Sequence, residues 1–257
     1  METSRRLAGK VALVTGASRG LGAAMAERFV AEGARAVFSM DIAAPEREVA
    51  GVRWLSGDVS RPEDCRGAVE AVLAACGRID VLVNNAGIGR PGTAHGARSL
   101  DHWREVLAVN LTGAFQMIHA VLPGMMASPG GAVILNVASI AAEVVNPVIH
   151  PGYAASKGAL VSLTRHLAAT HAKFGIRACA IAPGAVRTAL WDGLPADVQQ
   201  RYGDLHPLGV GDPGDVAALA AFLVSDEARW ITGTVVHLDG GNLCAGGLAA
   251  YAREVVS

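Results

Sequence analysis

The sequence predicts an α/β protein, a parallel sheet covered by helices on both faces in a single domain spanning residues 1–257. Three observations predict it. Short apolar runs rich in β-branched residues alternate with longer helical stretches, the pattern of parallel strands joined by crossover helices. Several runs (VALV, VLV, VIL) are unbroken, as strands buried on both faces are. No Ser/Pro-rich linker, repeat or low-complexity segment divides the chain, and 257 residues fit one α/β domain.

In order, Lys10–Gly16 reads as the first strand and Leu21–Glu32 as a helix with Leu21, Met25, Phe29 and Val30 on one face. Arg35–Met40 is the second strand and Val52–Leu55 the third. Only ten residues, Ile42 to Gly51, join them, so that crossover helix must shrink to a turn or two. Pro62–Cys76 is helical, with Pro62 suited to a first turn. Ile79–Val83 is the fourth strand. Leu100–Ala127 is a long helical stretch with a bend expected near Gly113 or Pro123. Ala132–Val137, a helix over Gly152–Lys173, Ile176–Ala182, a helix over Gly214–Ser225 and a last strand over Thr234–Leu238 complete the alternation.

Composition narrows the partners. The 22 basic and 23 acidic side chains leave a formal net charge of −1, which offers neither nucleic acid nor an anionic membrane an electrostatic footprint. Apolar residues make up 51% of the chain, enough for a sizeable core, and the 31 glycines point to tight turns and close backbone approaches. The four cysteines (Cys65, Cys76, Cys179, Cys244) form no CxxC pair and are too sparse for a disulfide scaffold, so no metal site is expected and a reducing cytoplasm is. No uninterrupted apolar run reaches the ~18 residues of a membrane span. Arg5-Arg6 precedes too short an apolar run, Val11–Val14, for an export signal.

Four constellations carry chemistry. Thr15-Gly16-Ala17-Ser18-Arg19-Gly20-Leu21-Gly22 lies between the first strand and first helix, where glycines admit a sharp turn and a phosphate meets the free N–H groups of a helix N-terminus. Asp41 follows Gly22 by nineteen residues, close to the ~20 expected of the acid that binds an adenosine ribose. Its carboxylate would repel a 2′-phosphate and favours NAD; Arg19 favours NADP, but less directly. Tyr153 and Lys157 share a helix face, and a cation one turn away should lower the phenol from its ordinary pKa of ~10 towards use as an acid/base. Ser139 ends the fifth strand, where ligands of open α/β sheets bind, and its hydroxyl suits a substrate carbonyl. Alone, the pair Tyr153/Lys157 would read as a solvated helix face and Ser139 as an ordinary strand-end serine.

Together these residues, with Asn84-Asn85-Ala86-Gly87, Asn110 and Pro183-Gly184, occur in an order that resembles the short-chain dehydrogenase/reductase family over about residues 7–242. The resemblance implies a Rossmann-type, doubly wound sheet of seven parallel strands in three α/β/α layers. It implies that Tyr153 is the catalytic acid/base, that Lys157 lowers its pKa and binds the nicotinamide ribose, that Ser139 polarises the carbonyl, and that Asn110 holds a proton-relay water. It places Asp58-Val59 beside the adenine and Asn85, Ala86 and Gly87 along the cofactor. Val186 and Thr188, after Pro183-Gly184, fall at the nicotinamide carboxamide, and Leu238-Asp239-Gly240-Gly241 matches the ending of the last strand. It also implies a homotetramer packed through Leu100–Ala127 and Gly152–Lys173.

The expected reaction is hydride transfer between NAD(H) and a secondary alcohol/ketone pair of a small or medium-sized, partly apolar molecule. Two rivals stand beside it: an NADP-dependent 3-oxoacyl-carrier-protein-type reductase, and a non-catalytic dinucleotide sensor that keeps the fold. The chain departs from the family in its short link after Asp41 and in Val210, where many members carry arginine. The apolar stretch Ala141–Gly152 is expected to line the substrate pocket; His150 within it is read as an exposed loop residue or a substrate contact. The segment Ala189–Asp212 is long enough for a lid, with Trp191, Leu194, Tyr202 and Leu205 covering substrate or packing the lid down. The apolar tail after Gly241 (Leu243, Leu248, Tyr251, Val255, Val256) is expected to pack at a subunit interface or over the pocket.

Overall fold

The computed structural model describes residues 5–89, 100–144 and 150–245. Seven strands, β1 (Val11–Thr15), β2 (Ala36–Asp41), β3 (Val52–Ser56), β4 (Val81–Asn84), β5 (Ala132–Val137), β6 (Ile176–Pro183) and β7 (Val235–Leu238), form one sheet in the order β3-β2-β1-β4-β5-β6-β7. Every neighbouring pair is parallel. This is the doubly wound Rossmann-type fold expected. The chain runs outwards from β1 to one edge, then returns to β4 and runs to the other, so a crevice opens between β1 and β4 at their C-terminal ends.

Alternation along each strand builds two cores. On one face Leu13, Phe38, Met40, Leu82 and Ile134 meet α2 (Pro62–Cys76), α4 (Ala114–Ala127) and α5 (Pro151–His171) through Val69, Val72, Met117, Val121 and Leu167. On the other, Val14, Val37, Val83, Leu135 and Ile181 meet α1 (Gly20–Ala31) and α8 (Pro213–Val224) through Met25, Phe29, Val216 and Ala220. Adjacent residues point to opposite faces, so unbroken apolar runs are what a doubly covered sheet requires.

One expectation about the connections is corrected and two are made specific. The link between β2 and β3 contains no helix; it is a run of bends and turns over residues 42–51. Ten residues must return along the sheet, and they do so folded over the glycine-rich loop, with the Glu46 N–H donating to the Ser18 carbonyl at 3.2 Å. The stretch Leu100–Ala127 is not one regular helix. It runs as α3 (Leu100–Leu107), a π-helical turn (Ala108–Gly113) and α4, and Pro123 is held inside α4. By length and composition this stretch is apolar enough to cross a membrane, but Val106, Met117, Ile118, Val121 and Met125 on it belong to the core. The segment from 189 to 212 carries two short helices, α6 (Ala189–Asp192) and α7 (Ala196–Asp204). A last turn, α9, spans Asn242–Ala245. Leu248, Tyr251, Val255 and Val256 of the tail, and Asn146 and Pro147 of the pocket stretch, lie outside the described residues.

Candidate active site

The glycine loop follows β1 because Gly16 and Gly20 take φ of +65° and +58°, which side chains with a β-carbon rarely adopt. Gly22 serves a different need. A β-carbon there would lie 2.3 Å from the Gly16 carbonyl oxygen and 2.5 Å from Asn85 Nδ2, so it lets helix and loop touch. Asn85 reaches back from the end of β4, donating Nδ2 to the carbonyls of Thr15 and Gly16 at 2.9 and 2.8 Å. Thr15 Oγ1 accepts from the N–H groups of Asn85 and Ala86, both at 3.1 Å. Asn85 is therefore placed to hold the loop in shape.

Asp41 ends β2 beside that loop. Its Oδ2 accepts from Ser18 N at 3.0 Å and Ser18 Oγ at 2.7 Å, tying the carboxylate to the turn. Arg19 points to solvent, its guanidinium 3.6 Å from the Glu46 carboxylate. Asp58 caps its own turn, accepting from Ser60 N at 2.8 Å, and Val59 is buried against Gly113 of the π turn. Gly20 faces Thr188 across the crevice; a β-carbon at position 20 would stop 3.9 Å from Thr188 Cγ2. Uncapped amides at the start of α1 and a carboxylate at the end of β2 fit a dinucleotide.

The reactive end lies beyond β4 and β5. Ser139 leaves β5 and its Oγ accepts from Ala141 N at 3.2 Å, starting a 3-10 turn. Its side chain is also hydrogen-bonded to the Tyr153 phenol, which binds the two side chains into one unit. Lys157, one turn along α5, is buried; its Nζ donates to the Val137 carbonyl at 2.7 Å and lies 5.6 Å from the centre of the Tyr153 ring. Gly87 packs between Asn110 and Lys157, where a β-carbon would be 3.3 Å from Asn110 Oδ1 and 3.5 Å from Lys157 Nζ.

Burial sets the proton affinities. It pushes Tyr153 above its ordinary value, and the Ser139 hydrogen bond draws it only part of the way back. It lowers Lys157 to about 8. The expected lowering of the phenol by Lys157 is thus reversed in direction. The ammonium is aimed at the Val137 carbonyl and lies over the ring face, while desolvation penalises the phenolate.

Asn110 sits in the π turn and is fully buried. Its Oδ1 accepts from Ile88 N at 2.8 Å, and its Nδ2 donates to Ile88 O and Ser156 Oγ, both at 3.1 Å. Both side-chain donors are spent on protein, so a water held by this residue would fall to the main-chain carbonyl. The π turn is the local device that brings the amide inwards, and such turns are frequent at functional sites. Ser156, which the sequence reading passed over, links Asn110 to Tyr153 by donating to the Tyr153 carbonyl at 2.7 Å.

Pro183 and Gly184 end β6 and begin the opposite wall, with Gly184 N donating to Leu238 O at 3.0 Å. Val186 pairs with Gly211 in an isolated bridge. Within the lid, Trp191 and Tyr202 pack edge to face at 6.4 Å and Gln199 Nε2 donates to the carbonyls of Trp191 and Leu194, so these residues hold the lid together. His150 is buried, not exposed: its Nδ1 accepts from Gly152 N at 3.1 Å and caps α5, three residues before Tyr153 in that helix's first turn. His206 is a second buried histidine that the sequence reading missed; it accepts from Ala185 N. No sequence spacing marks it, because Ala185, its partner across the crevice, is twenty-one residues away in the chain. Among the described residues no cluster of His, Cys, Asp or Glu could hold a metal ion.

Comparison with known proteins agrees with this geometry. Residues 16–242 match the family described as "Enoyl-(Acyl carrier protein) reductase". The chain is 38% identical to L-fucose dehydrogenase of Bos taurus over 252 residues, covering 94% of this chain and 92% of that protein. It is 38% identical to 3beta-hydroxysteroid dehydrogenase 1 of Eggerthella lenta, covering 91% and 94%. Among solved structures, ligand-free aldohexose dehydrogenase of Thermoplasma acidophilum superposes with a TM-score of 0.86 at 33% identity, covering 94% of this chain and 96% of that one.

Proposed function

The chain belongs to the short-chain dehydrogenase/reductase family, and from that premise we propose that it transfers a hydride between NAD(H) and a secondary alcohol/ketone pair of a small or medium-sized, partly apolar substrate. The relatives named above act on sugars and steroids, which share the secondary alcohol and little else. The observation that carries the proposal is the bonded pair of Ser139 and Tyr153 with Lys157 above the phenol ring, set at the mouth of a crevice that fits a dinucleotide.

The loop from Gly16 to Gly22 would hold the pyrophosphate, Asp41 the adenosine ribose, Tyr153 and Lys157 the nicotinamide ribose, and the turn from Pro183 to Thr188 the carboxamide. When bound, the nicotinamide supplies the hydride for reduction and takes it in oxidation. In reduction, the Tyr153 phenol gives its proton to the carbonyl oxygen while the Ser139 hydroxyl donates to the same oxygen. Burial keeps that phenol protonated at neutral pH, which suits an acid. The Lys157 charge then faces the phenolate that remains. In oxidation the same groups act in reverse, with the phenolate taking the hydroxyl proton.

Asp41 favours NAD over NADP because a carboxylate opposes a 2′-phosphate, and Glu46 beside Arg19 offsets the cation that would welcome one. We further propose a homotetramer, in which Trp103, Phe115 and Met126, exposed along Leu100–Ala127, would be covered by a second copy. Fluorescence titration with NADH and with NADPH tests the cofactor. Tight NADH and weak NADPH binding, followed by turnover of a secondary alcohol with NAD, is the expected result. Preference for NADPH would overturn the Asp41 argument and favour the reductase of 3-oxoacyl chains.

A further inference from the structure

The two walls of the crevice meet at His206, which belongs to none of the motifs that define the site. It lies just past α7, at the root of the lid, and is buried. Its Nδ1 lies 2.6 Å from the Tyr202 carbonyl oxygen at the end of α7, and its Nε2 lies 3.0 Å from Ala185 N in the turn after β6. A carbonyl only accepts and a backbone N–H only donates. The ring is therefore the neutral tautomer with its proton on Nδ1, bridging lid and turn.

The turn is bound tightly around that bridge. The Ala185 carbonyl accepts from Gly211 N at 3.0 Å, and Gly184 N donates to Leu238 O at 3.0 Å. A β-carbon on Gly184 would lie 2.6 Å from His206 Nε2, so the ring touches bare backbone. The root of the lid is fastened in turn to the segment that follows β7: Leu208 N donates to Gly240 O and Asn242 Nδ2 donates to Leu205 O, both at 3.0 Å. Turning the Ala185 peptide away from His206 would move Val186 and Thr188, the next residues along that wall.

We infer that His206 is a positioning residue that sets the nicotinamide-side turn, Pro183–Thr188, and couples it to the substrate lid. The inference rests on the proposed role of that turn. It also predicts that the two ring nitrogens have separable duties, one towards cofactor and one towards lid.

Amide side chains separate them. His206→Gln places an amide oxygen near the Nε2 position and retains an acceptor for Ala185; His206→Asn places an amide nitrogen near Nδ1 and retains a donor for Tyr202. NADH affinity by fluorescence and amide hydrogen exchange by mass spectrometry are measured on both variants and the wild type. His206→Gln should keep NADH affinity within twofold, protect the 183–188 segment, loosen 196–204 and raise the KM for substrate with kcat retained. His206→Asn should weaken NADH about tenfold, deprotect 183–188 and leave 196–204 protected. A purely structural histidine would give the same losses in both variants, and that result overturns the inference. Rapid exchange of the Ala185 amide in the wild type also overturns it, and needs no variant to fold. If the wild type binds neither NADH nor NADPH, the dinucleotide function fails, while the exchange pattern still decides whether His206 sets the turn.

Discussion

Helix α5 and the lid border the same crevice and are built in opposite ways. Along α5, Gly152, Ser156, Lys157, Leu160, Val161, Thr164, Leu167 and Ala168 are buried. Its polar groups are bonded to two other elements: Ser156 to Asn110 in the π turn, and Lys157 and Thr164 to Val137 and Asn136 of β5, where Asn136 itself accepts from Asn84 of β4. Helix α7 of the lid buries no residue. It is held by Gln199, by the Trp191–Tyr202 edge contact and by His206 at its root. On the proposed function, the chemistry is mounted on an element whose opening requires breaking the core, whereas the lid's helix α7 buries no residue and can open locally at smaller cost.

Four measurements test this contrast. The largest effect is expected at the acid. Tyr153→Phe keeps the ring and its packing but removes the proton, so turnover should fall by ~10²–10⁴-fold or more while NADH, held also by the Gly16–Gly22 loop, Asp41 and Lys157, still binds. Retained turnover in a folded variant would remove Tyr153 from the mechanism.

The second effect is on stability. Asn110→Leu leaves the N–H and carbonyl of Ile88 and the Ser156 hydroxyl without their present partner. An unsatisfied buried polar group costs about 1–3 kcal/mol, so chemical denaturation should show a loss of several kcal/mol. A loss under 1 kcal/mol would mean that α5 and the π turn are less tightly joined than their hydrogen bonds suggest.

The third concerns pH. Lys157 is lowered to about 8 in the folded protein, and lysine in an unfolded chain titrates near ~10.4. Between those values the unfolded chain binds more protons, so stability rises with pH. The desolvation cost is fully present below pH 8 and is relieved as pH approaches 10. Relative to Lys157→Met, the wild type should gain ~2–3 kcal/mol in unfolding free energy from pH 7 to 10. A flat difference would show that the ammonium is better solvated than its burial indicates.

The smallest effect on stability is expected in the lid. Trp191→Ala removes the edge contact with Tyr202, worth ~0.5–1.5 kcal/mol, from a segment whose helix α7 buries no residue. The thermal midpoint should scarcely move, while substrate KM rises several-fold and kcat is kept. A drop in the midpoint as large as that of Asn110→Leu would erase the distinction between the two regions.

Much of the molecule is legible in the chain itself. The alternation of β-rich runs and helical stretches determines the parallel sheet, because a strand covered on both faces must be apolar throughout and its return must be a helix. The order of Gly16–Gly22, Asp41, Asn110, Ser139, Tyr153 and Lys157 along those elements determines the reaction class, since such positions fall at strand ends and helix starts wherever the sheet folds. What tertiary structure alone decided is how those groups are loaded. The upward push on Tyr153 depends on how much water α5 and β5 exclude, which no spacing of Tyr and Lys encodes. The engaged side chain of Asn110 depends on a π turn whose irregularity comes from packing against Val59 and Ile88. His150 and His206 are ordinary polar residues in the sequence and buried ones in the fold, because burial and hydrogen-bond partners are set by segments distant in the chain. Periodicity is local and survives in one dimension; solvent exclusion is a property of three.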